Sequence, residues 1–168
     1  MPNKKIKLRL GRIGDAQKSF EIHYRAIHKI AFCGYPESVL NSWGRLHSEE
    51  ELAKREQRFN LRIEQKENVI VVAEAEKQIA GFGEILLSQS ELTALYVNSD
   101  LKRQGIGTAI IEDLEFRAKE QEIKALTLHS SLTAVPFYEK NGFHELKETE
   151  LRRSLRDLLL SSFLCLRR

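Results

Sequence analysis

The chain has 168 residues, of which 42% are hydrophobic and 30% are charged, and this predicts one soluble globular domain over residues 1–168. Its formal net charge of +3 is too small to indicate a nucleic-acid partner. No apolar run approaches the roughly 20 residues of a membrane helix, and the N-terminus lacks a signal-peptide pattern. The widely separated Cys33 and Cys165 favour a reducing compartment. We therefore expect a cytoplasmic protein without a membrane partner.

The first half of the chain predicts one strand followed by helices. Residues 6–10 alternate apolar and basic side chains, which is typical of a strand. Asp15 is placed to cap a helix that ends near residue 30, and Pro36 is placed at the start of the next helix. Ser48 precedes three glutamates, a strong helix start, because acidic side chains stabilise the positive end of the helix dipole. We expect this third helix to end near Lys66.

The second half predicts strands interrupted by two helices. The predicted strands are residues 68–75, 79–87, 91–97 and 124–129, and the predicted helices are residues 105–121 and 134–140. Gly81 and Gly83 indicate a bulge or a close approach to the backbone. At the C-terminus, residues 145–151 and 161–167 favour paired strands, although Leu155, Leu158 and Leu159 also fit a helical face. This order predicts a mixed α/β sheet with helices on both faces.

A glycine-bearing loop between a strand and a helix is the strongest local signal for a binding site. It contains Lys102, Arg103, Gln104, Gly105, Ile106, Gly107 and Thr108. Glycines allow a tight turn, and amides at a helix start bind anions, so the loop suits a pyrophosphate. A dinucleotide motif would need a third glycine where Ile110 stands, and a nucleotide P-loop would need a lysine before Thr108. An ordinary helix start that carries glycines remains the alternative.

Two motifs in order resemble the GNAT family of N-acetyltransferases. The family signature Arg/Gln-x-x-Gly-x-Gly/Ala is similar to residues 102–107, which follow Leu95-Tyr96-Val97. The second family motif is similar to residues 134–143, which include Phe137, Tyr138 and the Asn141-Gly142-Phe143 turn. Lys102 departs from the signature's first position, and Ser131 stands where the family often has asparagine. The resemblance covers residues 69–143 and implies the GNAT fold: a mixed, largely antiparallel sheet of six to seven strands flanked by helices on both faces.

The resemblance also implies acetyl-CoA as cosubstrate, an amine as acceptor, and direct attack in a ternary complex. The acyl-pantetheine would lie in a gap between residues 93–97, which would contain a bulge, and residues 124–129. Tyr138 would be the general acid that protonates the departing thiolate. The implied cofactor-binding residues are Leu95, Tyr96, Val97, Lys102, Arg103, Gln104, Gly105, Ile106, Gly107, Thr108, Ser131 and Tyr138.

The general base and the acceptor site stay open at the level of sequence. Glu91 lies where several family members carry a catalytic glutamate, and Glu84 or water are alternatives. We interpret His129 as a structural histidine. In the family the acceptor pocket is built mainly from the first two helices. The aromatic and histidine residues that these helices offer here also fit ordinary packing; they are His23, Tyr24, His28, Tyr35 and Trp43.

The leading hypothesis is an N-acetyltransferase that transfers an acetyl group from acetyl-CoA to a primary amine of a small molecule, a protein N-terminus or a lysine. The alternative is a non-catalytic acyl-CoA sensor or interaction module on the same fold. No Cys/His spacing resembles a zinc site, so we expect no metal. We expect a monomer or a homodimer and no nucleic-acid partner.

Overall fold

Seven strands and five α-helices form within residues 6–30, 37–145 and 163–167, which are the residues that the computed structural model describes. The strands are β1 (Lys7–Leu10), β2 (Asn68–Ala75), β3 (Gln78–Leu86), β4 (Glu91–Val97), β5 (Leu126–Ser130), β6 (His144–Glu145) and β7 (Phe163–Arg167). The helices are α1 (Ala16–Ile30), α2 (Glu37–Trp43), α3 (Glu49–Gln65), α4 (Ile106–Glu120) and α5 (Val135–Lys140). Within the described residues, no helix is both long and apolar enough to cross a membrane.

Local sequence signals account for the helix boundaries in the first half of the chain. The Ser48 hydroxyl accepts a hydrogen bond from the Glu51 amide at 3.3 Å, and the Glu51 carboxylate accepts one from the Ser48 amide at 3.0 Å. This reciprocal pair is a capping box, and it begins α3 where the sequence predicts. The helix ends at Lys66, whose φ of 54° is left-handed and stops the hydrogen-bond ladder.

Asp15 directly precedes α1, as predicted, and its carboxylate connects the helix start to the sheet. Both carboxylate oxygens accept hydrogen bonds from Arg9 of β1, at 2.7 and 2.9 Å, and one also accepts from the Arg12 amide at 2.7 Å. Burial by itself would raise the pKa of Asp15, but these hydrogen bonds lower it below its usual value. The Asp15 carboxylate therefore stays charged and holds β1 against α1.

The strands form one sheet in the order β1-β2-β3-β4-β5-β7-β6. Neighbouring strands are antiparallel except β4 and β5, which are parallel. The predicted mixed, largely antiparallel sheet is thereby confirmed. At the C-terminus β6 and β7 pair as antiparallel strands. The residues that connect them, including Leu155, Leu158 and Leu159, lie outside the described residues, as do Cys33, Tyr35 and Pro36.

Helices cover both faces of the sheet, and β2 and β3 are therefore buried on both sides. Val71 and Ala73 of β2 pack with Ile110 and Leu114 of α4 in one core. The alternate β2 residues Ile70 and Val72 pack on the opposite face with Ile22 of α1 and Phe59 of α3. The near-continuous apolar run of β2 is the expected pattern for a strand that is covered twice.

Gly81 and Gly83 let α4 and the neighbouring strand approach β3 closely, as the sequence indicated. A Cβ at Gly81 would lie 2.8 Å from the Tyr96 carbonyl oxygen, and one at Gly83 would lie 2.7 Å from a methyl of Leu114. Both distances are below 3.0 Å, which is too short for a Cβ in contact with another heavy atom. These glycines therefore set how closely α4 and β4 pack around β3.

A bulge in β4 opens the sheet beside β5. Glu84 opposes Ala94 whereas the next residue, Ile85, opposes Leu92, so Thr93 is an extra residue in β4. The parallel pairing of β4 with β5 is confined to Glu91 and Leu92. Beyond Leu92, β4 has no strand partner on this side within the described residues. The predicted bulge and the predicted gap between the two strands are confirmed.

Candidate active site

A cavity of about 1090 Å³ occupies the gap between β4 and β5. One wall is β4, from Leu92 to Val97, and another is the loop that leads into α4. The end of β5 and helix α5 supply a third wall, and α1 and α2 supply the fourth. The cavity is therefore assembled from segments that are far apart in the chain, and it is bordered by the open edge of a strand.

The loop before α4 has the backbone geometry of an anion site. Arg103 and Gly105 adopt positive φ values of 62° and 78°, and α4 begins at Ile106. A Cβ at Gly105 would meet nothing within 4 Å, so the positive φ, not crowding, favours glycine there. The first amides of a helix lack partners within the helix and carry partial positive charge. The first turn of α4 thus presents donors at the cavity.

Positive side chains accompany these amides. Lys102, Arg103 and Lys140 line the cavity, and none of its described lining residues is an aspartate or glutamate. This charge imbalance favours an anionic ligand. We assigned no role to Lys140 from its sequence position, because its place at the cavity depends on how α5 packs against α4.

Tyr138 lies on the α4 side of the sheet and lines the cavity. Only 7% of its surface is exposed, and its ring makes edge contacts with Phe137 and Phe143. The Phe143 amide donates to the Tyr138 carbonyl at 3.1 Å, across a turn that Gly142 closes with a φ of 84°. A Cβ at Gly107 would lie 3.0 Å from the Phe137 ring, so α5 packs directly on the first turn of α4. The predicted acid and the predicted anion loop therefore lie on walls that are in direct contact.

His23 lines the same cavity from α1, on the opposite face of the sheet. Its ring contacts Tyr96 of β4 edge-on, with 4.5 Å between the centroids. Burial lowers the pKa of His23 to about 4, and the positive charges of Arg55 and His47 act in the same direction. His23 is therefore neutral near pH 7. The cavity passes through the sheet from Tyr138 on one face to His23 on the other.

The two candidate carboxylate bases lie outside the described lining of this cavity. Glu91 places a carboxylate oxygen 3.9 Å from Nε2 of His129, and it is His129 that lines the cavity. Glu84 is buried and accepts hydrogen bonds from Arg62 at 2.9 Å and from Asn68 at 2.6 Å. Sequence position indicated both glutamates as candidate bases, whereas His129 was interpreted as a structural histidine.

The other predicted binding residues are brought together, with one exception. Of the predicted set, the residues that line the cavity are Leu95, Tyr96, Val97, Lys102, Arg103, Gly105, Ile106, Gly107, Thr108, Ser131 and Tyr138. Gln104 is exposed and is absent from the lining. The Ser131 hydroxyl lies 3.1 Å from the Thr133 hydroxyl, which also borders the cavity.

A second cavity of about 600 Å³ lies between α1, α3 and the connection before α3. His23 lines both cavities, so they are adjacent at this side chain. Tyr24 lines the second cavity and Trp43 the first. His28 instead packs against Tyr24, and its Nε2 lies 2.7 Å from the Gly44 carbonyl oxygen. The predicted acceptor residues thus divide into cavity and packing positions.

Comparisons with known proteins agree with this architecture. A family model described as an acetyltransferase (GNAT) domain matches residues 40–158. The chain is 27% identical over 146 residues to the uncharacterized N-acetyltransferase YafP of Escherichia coli (strain K12), covering 85% of this chain and 84% of that protein.

Two solved structures share the fold across nearly the whole chain. One is a PaiA N-acetyltransferase from Thermoplasma acidophilum in complex with coenzyme A, with a TM-score of 0.77, 22% identity and coverage of 98% and 99% of the two chains. The other is a GCN5-related N-acetyltransferase from Rhodopseudomonas palustris, with a TM-score of 0.78, 20% identity and coverage of 99% and 98%. The fold is that of the N-acetyltransferase class. The chain belongs to the GNAT acetyltransferase family, whose reaction is acyl transfer.

Proposed function

We propose that the protein transfers an acetyl group from acetyl-CoA to a primary amine, by direct attack within a ternary complex. The observation that carries the proposal is the cavity that passes through the sheet. It connects the cationic loop and Tyr138 on the α4 side with His23 and the second cavity on the α1 side. Such a passage lets a donor enter from one side of the sheet and an acceptor from the other.

The residues around the first cavity fit an acyl-CoA. The α4 amides, with Lys102, Arg103 and Lys140, supply donors and positive charge for a pyrophosphate. The β4 edge beyond Leu92 leaves backbone groups unpaired with β5, and an extended chain with amides pairs with such an edge. Leu95 and Val97 are the residues we assign to this pairing, and Ser131 borders the opposite side.

Acyl-CoA supplies a thioester, whose carbonyl carbon accepts the amine and whose sulfur leaves as a thiolate. A phenol, with a pKa of about 10, is protonated near pH 7 and can donate its proton as negative charge develops on the departing sulfur; the phenolate then regains a proton from water. Tyr138 is the residue we assign to this role. Its ring is held by Phe137 and Phe143, which limits the directions in which the hydroxyl can point.

The attacking amine must first lose a proton, because a lysine-like amine has a pKa of about 10.4. His129 lines the cavity, and its Nε2 lies 3.9 Å from a carboxylate oxygen of Glu91. We assign His129, through water, as the proton acceptor, with Glu91 as the positioning residue behind it. Glu84 already accepts hydrogen bonds from Arg62 and Asn68, and we assign it a structural role.

Thermal unfolding tests the donor half of the proposal. Acetyl-CoA and CoA at about 100 times their Kd should stabilise the folded protein by about 2.7 kcal/mol, whereas NAD and ATP should leave Tm nearly unchanged. Replacing Lys140 with glutamine should weaken CoA binding, and replacing the exposed Lys77, which is outside the cavity, should not. Equal responses to all four nucleotides would contradict the proposal.

Mass spectrometry of an amine and peptide library incubated with acetyl-CoA tests the acceptor half. Acetylated primary amines are the expected products. Stabilisation by acetyl-CoA with no product from any library member would instead indicate a non-catalytic acyl-CoA sensor.

A further inference from the structure

The second cavity is bordered by a cation, Arg55, that forms no ion pair with a carboxylate among the described residues. Arg55 of α3 lines this cavity, half-buried. Its guanidinium lies over the Phe20 ring, 4.7 Å from the centroid, and contacts Nε2 of His47. A guanidinium has five N–H donors, and the imidazole uses few of them.

The described residues near Arg55 leave it without a carboxylate partner. Glu51, the acidic side chain whose charge acts on it, binds Arg45 and the Ser48 amide instead. Burial lowers the pKa of Arg55, and the positive charges of Arg45 and Arg62 lower it further. A half-buried guanidinium without a carboxylate partner gains free energy from a bound anion.

Arg55 shares the second cavity with His23, the side chain at which the two cavities adjoin. Its charge lowers the pKa of His23, which lines both cavities, and acts on Tyr96 of β4. Arg55 and His23 both line this cavity of about 600 Å³, so one small ligand can contact both side chains. A planar, bidentate donor at one end and a neutral imidazole at the other suit a ligand with a carboxylate and an amine.

We propose, resting on the amine acetylation proposed above, that the acceptor is an amino acid or a similar compound whose carboxylate binds Arg55 while its amine lies beside His23. The neutral His23 side chain accepts a hydrogen bond from the amine and does not repel an ammonium. The paired N–H donors of the Arg55 guanidinium then orient the acceptor toward the gap in the sheet.

Three glutamates border the second cavity, and they would favour a different class of acceptor, a polyamine without a carboxylate. Glu21 is paired with Lys18 at 2.8 Å and with Arg25 at 2.9 Å, and Glu49 and Glu56 are exposed. An acceptor with several amines and no carboxylate would use these side chains. The exposed position of Glu49 and Glu56 makes them weaker anchors than a half-buried guanidinium.

Matched acceptor pairs test the inference in the unmodified protein. Phenylalanine and phenethylamine, histidine and histamine, and lysine and cadaverine differ only in the carboxylate, and spermidine represents the polycationic class. We expect kcat/KM to be at least about tenfold higher for the carboxylate member of the preferred pair, since a charge-assisted hydrogen bond contributes on that scale. Equal values within every pair, or a preference for spermidine, would overturn the inference.

Substitution of Arg55 supplies a second, independent readout. R55Q should raise KM for the carboxylate acceptor by about 10- to 100-fold and leave KM for acetyl-CoA unchanged. R55K should fall between the wild type and R55Q, because lysine keeps the charge but loses the fork. The control is R58Q, an exposed arginine on the same helix outside both cavities, which should behave as the wild type.

The outcomes separate this inference from the proposed function. If amines are acetylated and R55Q leaves the acceptor KM unchanged at a wild-type Tm, the inference alone is wrong. If acetyl-CoA stabilises the protein but no amine is acetylated, the proposed function fails and the inference fails with it. Should R55Q not fold, the comparison of acceptor pairs in the wild type still decides.

Discussion

At the scale of single residues, Tyr138 has the most specific environment in the candidate site. It is 7% exposed, lies between two aromatic rings, and borders a cavity whose described lining has no carboxylate. An ordinary core aromatic would have the same contacts but no need for a hydroxyl. A substitution that removes only the hydroxyl therefore tests the role of Tyr138.

Tyr138→Phe should lower kcat by about 100-fold, because a general acid contributes about 10²- to 10⁴-fold. The variant keeps the ring and its packing, so stabilisation by acetyl-CoA should persist, and steady-state kinetics beside thermal unfolding measure both. Should kcat be unchanged, Tyr138 is a packing residue and not the acid.

Residue-scale features were visible in the sequence where they depend on neighbours along the chain. The positive φ of Gly105 and the turn at Gly142 follow from local requirements, and both glycines stand in the predicted motifs. His129, which we interpreted as structural from the sequence, lines the cavity and lies 3.9 Å from a carboxylate oxygen of Glu91. That relation joins two strands, and spacing along one segment does not encode it.

At the scale of secondary-structure elements, the contact between β3, β4 and α4 positions the site. The first turn of α4 carries the anion loop, and β4 carries the open edge, so both depend on how closely they approach β3. Gly81 is the tightest point that involves backbone, since an added Cβ would lie 2.8 Å from the Tyr96 carbonyl oxygen.

Gly81→Ala should destabilise the protein by about 1–3 kcal/mol, because the strand pair cannot part without disturbing its hydrogen bonds. Urea unfolding measures the change, and Gln78→Ala, at an exposed position of the same strand, is the control that should stay within about 0.5 kcal/mol. The Kd for acetyl-CoA should rise in Gly81→Ala, because the added methyl group displaces α4. A neutral effect of Gly81→Ala would mean that the backbone at β4 adjusts freely.

At the scale of the whole molecule, the passage through the sheet couples function to global stability. His23 lines it on the α1 face, and the pKa of about 4 for His23 in the folded protein lies below the value of 6.5 for the free side chain. The unfolded chain therefore binds more protons than the folded one between these values. The free energy of unfolding should fall as the pH falls from about 6.5 toward 4.

His23→Gln should flatten this part of the pH dependence, because glutamine does not titrate. Urea unfolding at pH 7.5, 5.5 and 4.5 measures the slope, and His144→Gln, an exposed histidine outside both cavities, should retain it. NMR should also show no protonation of the His23 imidazole between pH 5.5 and 8. An imidazole that titrates near pH 6.5 would place His23 in water and remove it from the passage.

The single domain, the cytoplasmic location and the monomeric or dimeric state stay predictions from composition. The roles of Tyr138, Glu91 and the cofactor-binding residues are likewise proposals that the experiments above address. Membership of the GNAT acetyltransferase family rests on the family match over residues 40–158.

The sequence by itself determined the elements and the anion loop, because capping, strand periodicity and glycine-dependent turns act between residues close in the chain. The capping box of α3, the bounds of β4 and the loop at Gly105 are of this kind. Only the tertiary structure decided which side chains meet in the gap. Lys140, His23 and Arg55 come from three helices, and their positions follow from how those helices pack on the two faces of the sheet. Packing between distant segments leaves no periodic trace in the sequence, so the acceptor side of the site appears only in the folded protein.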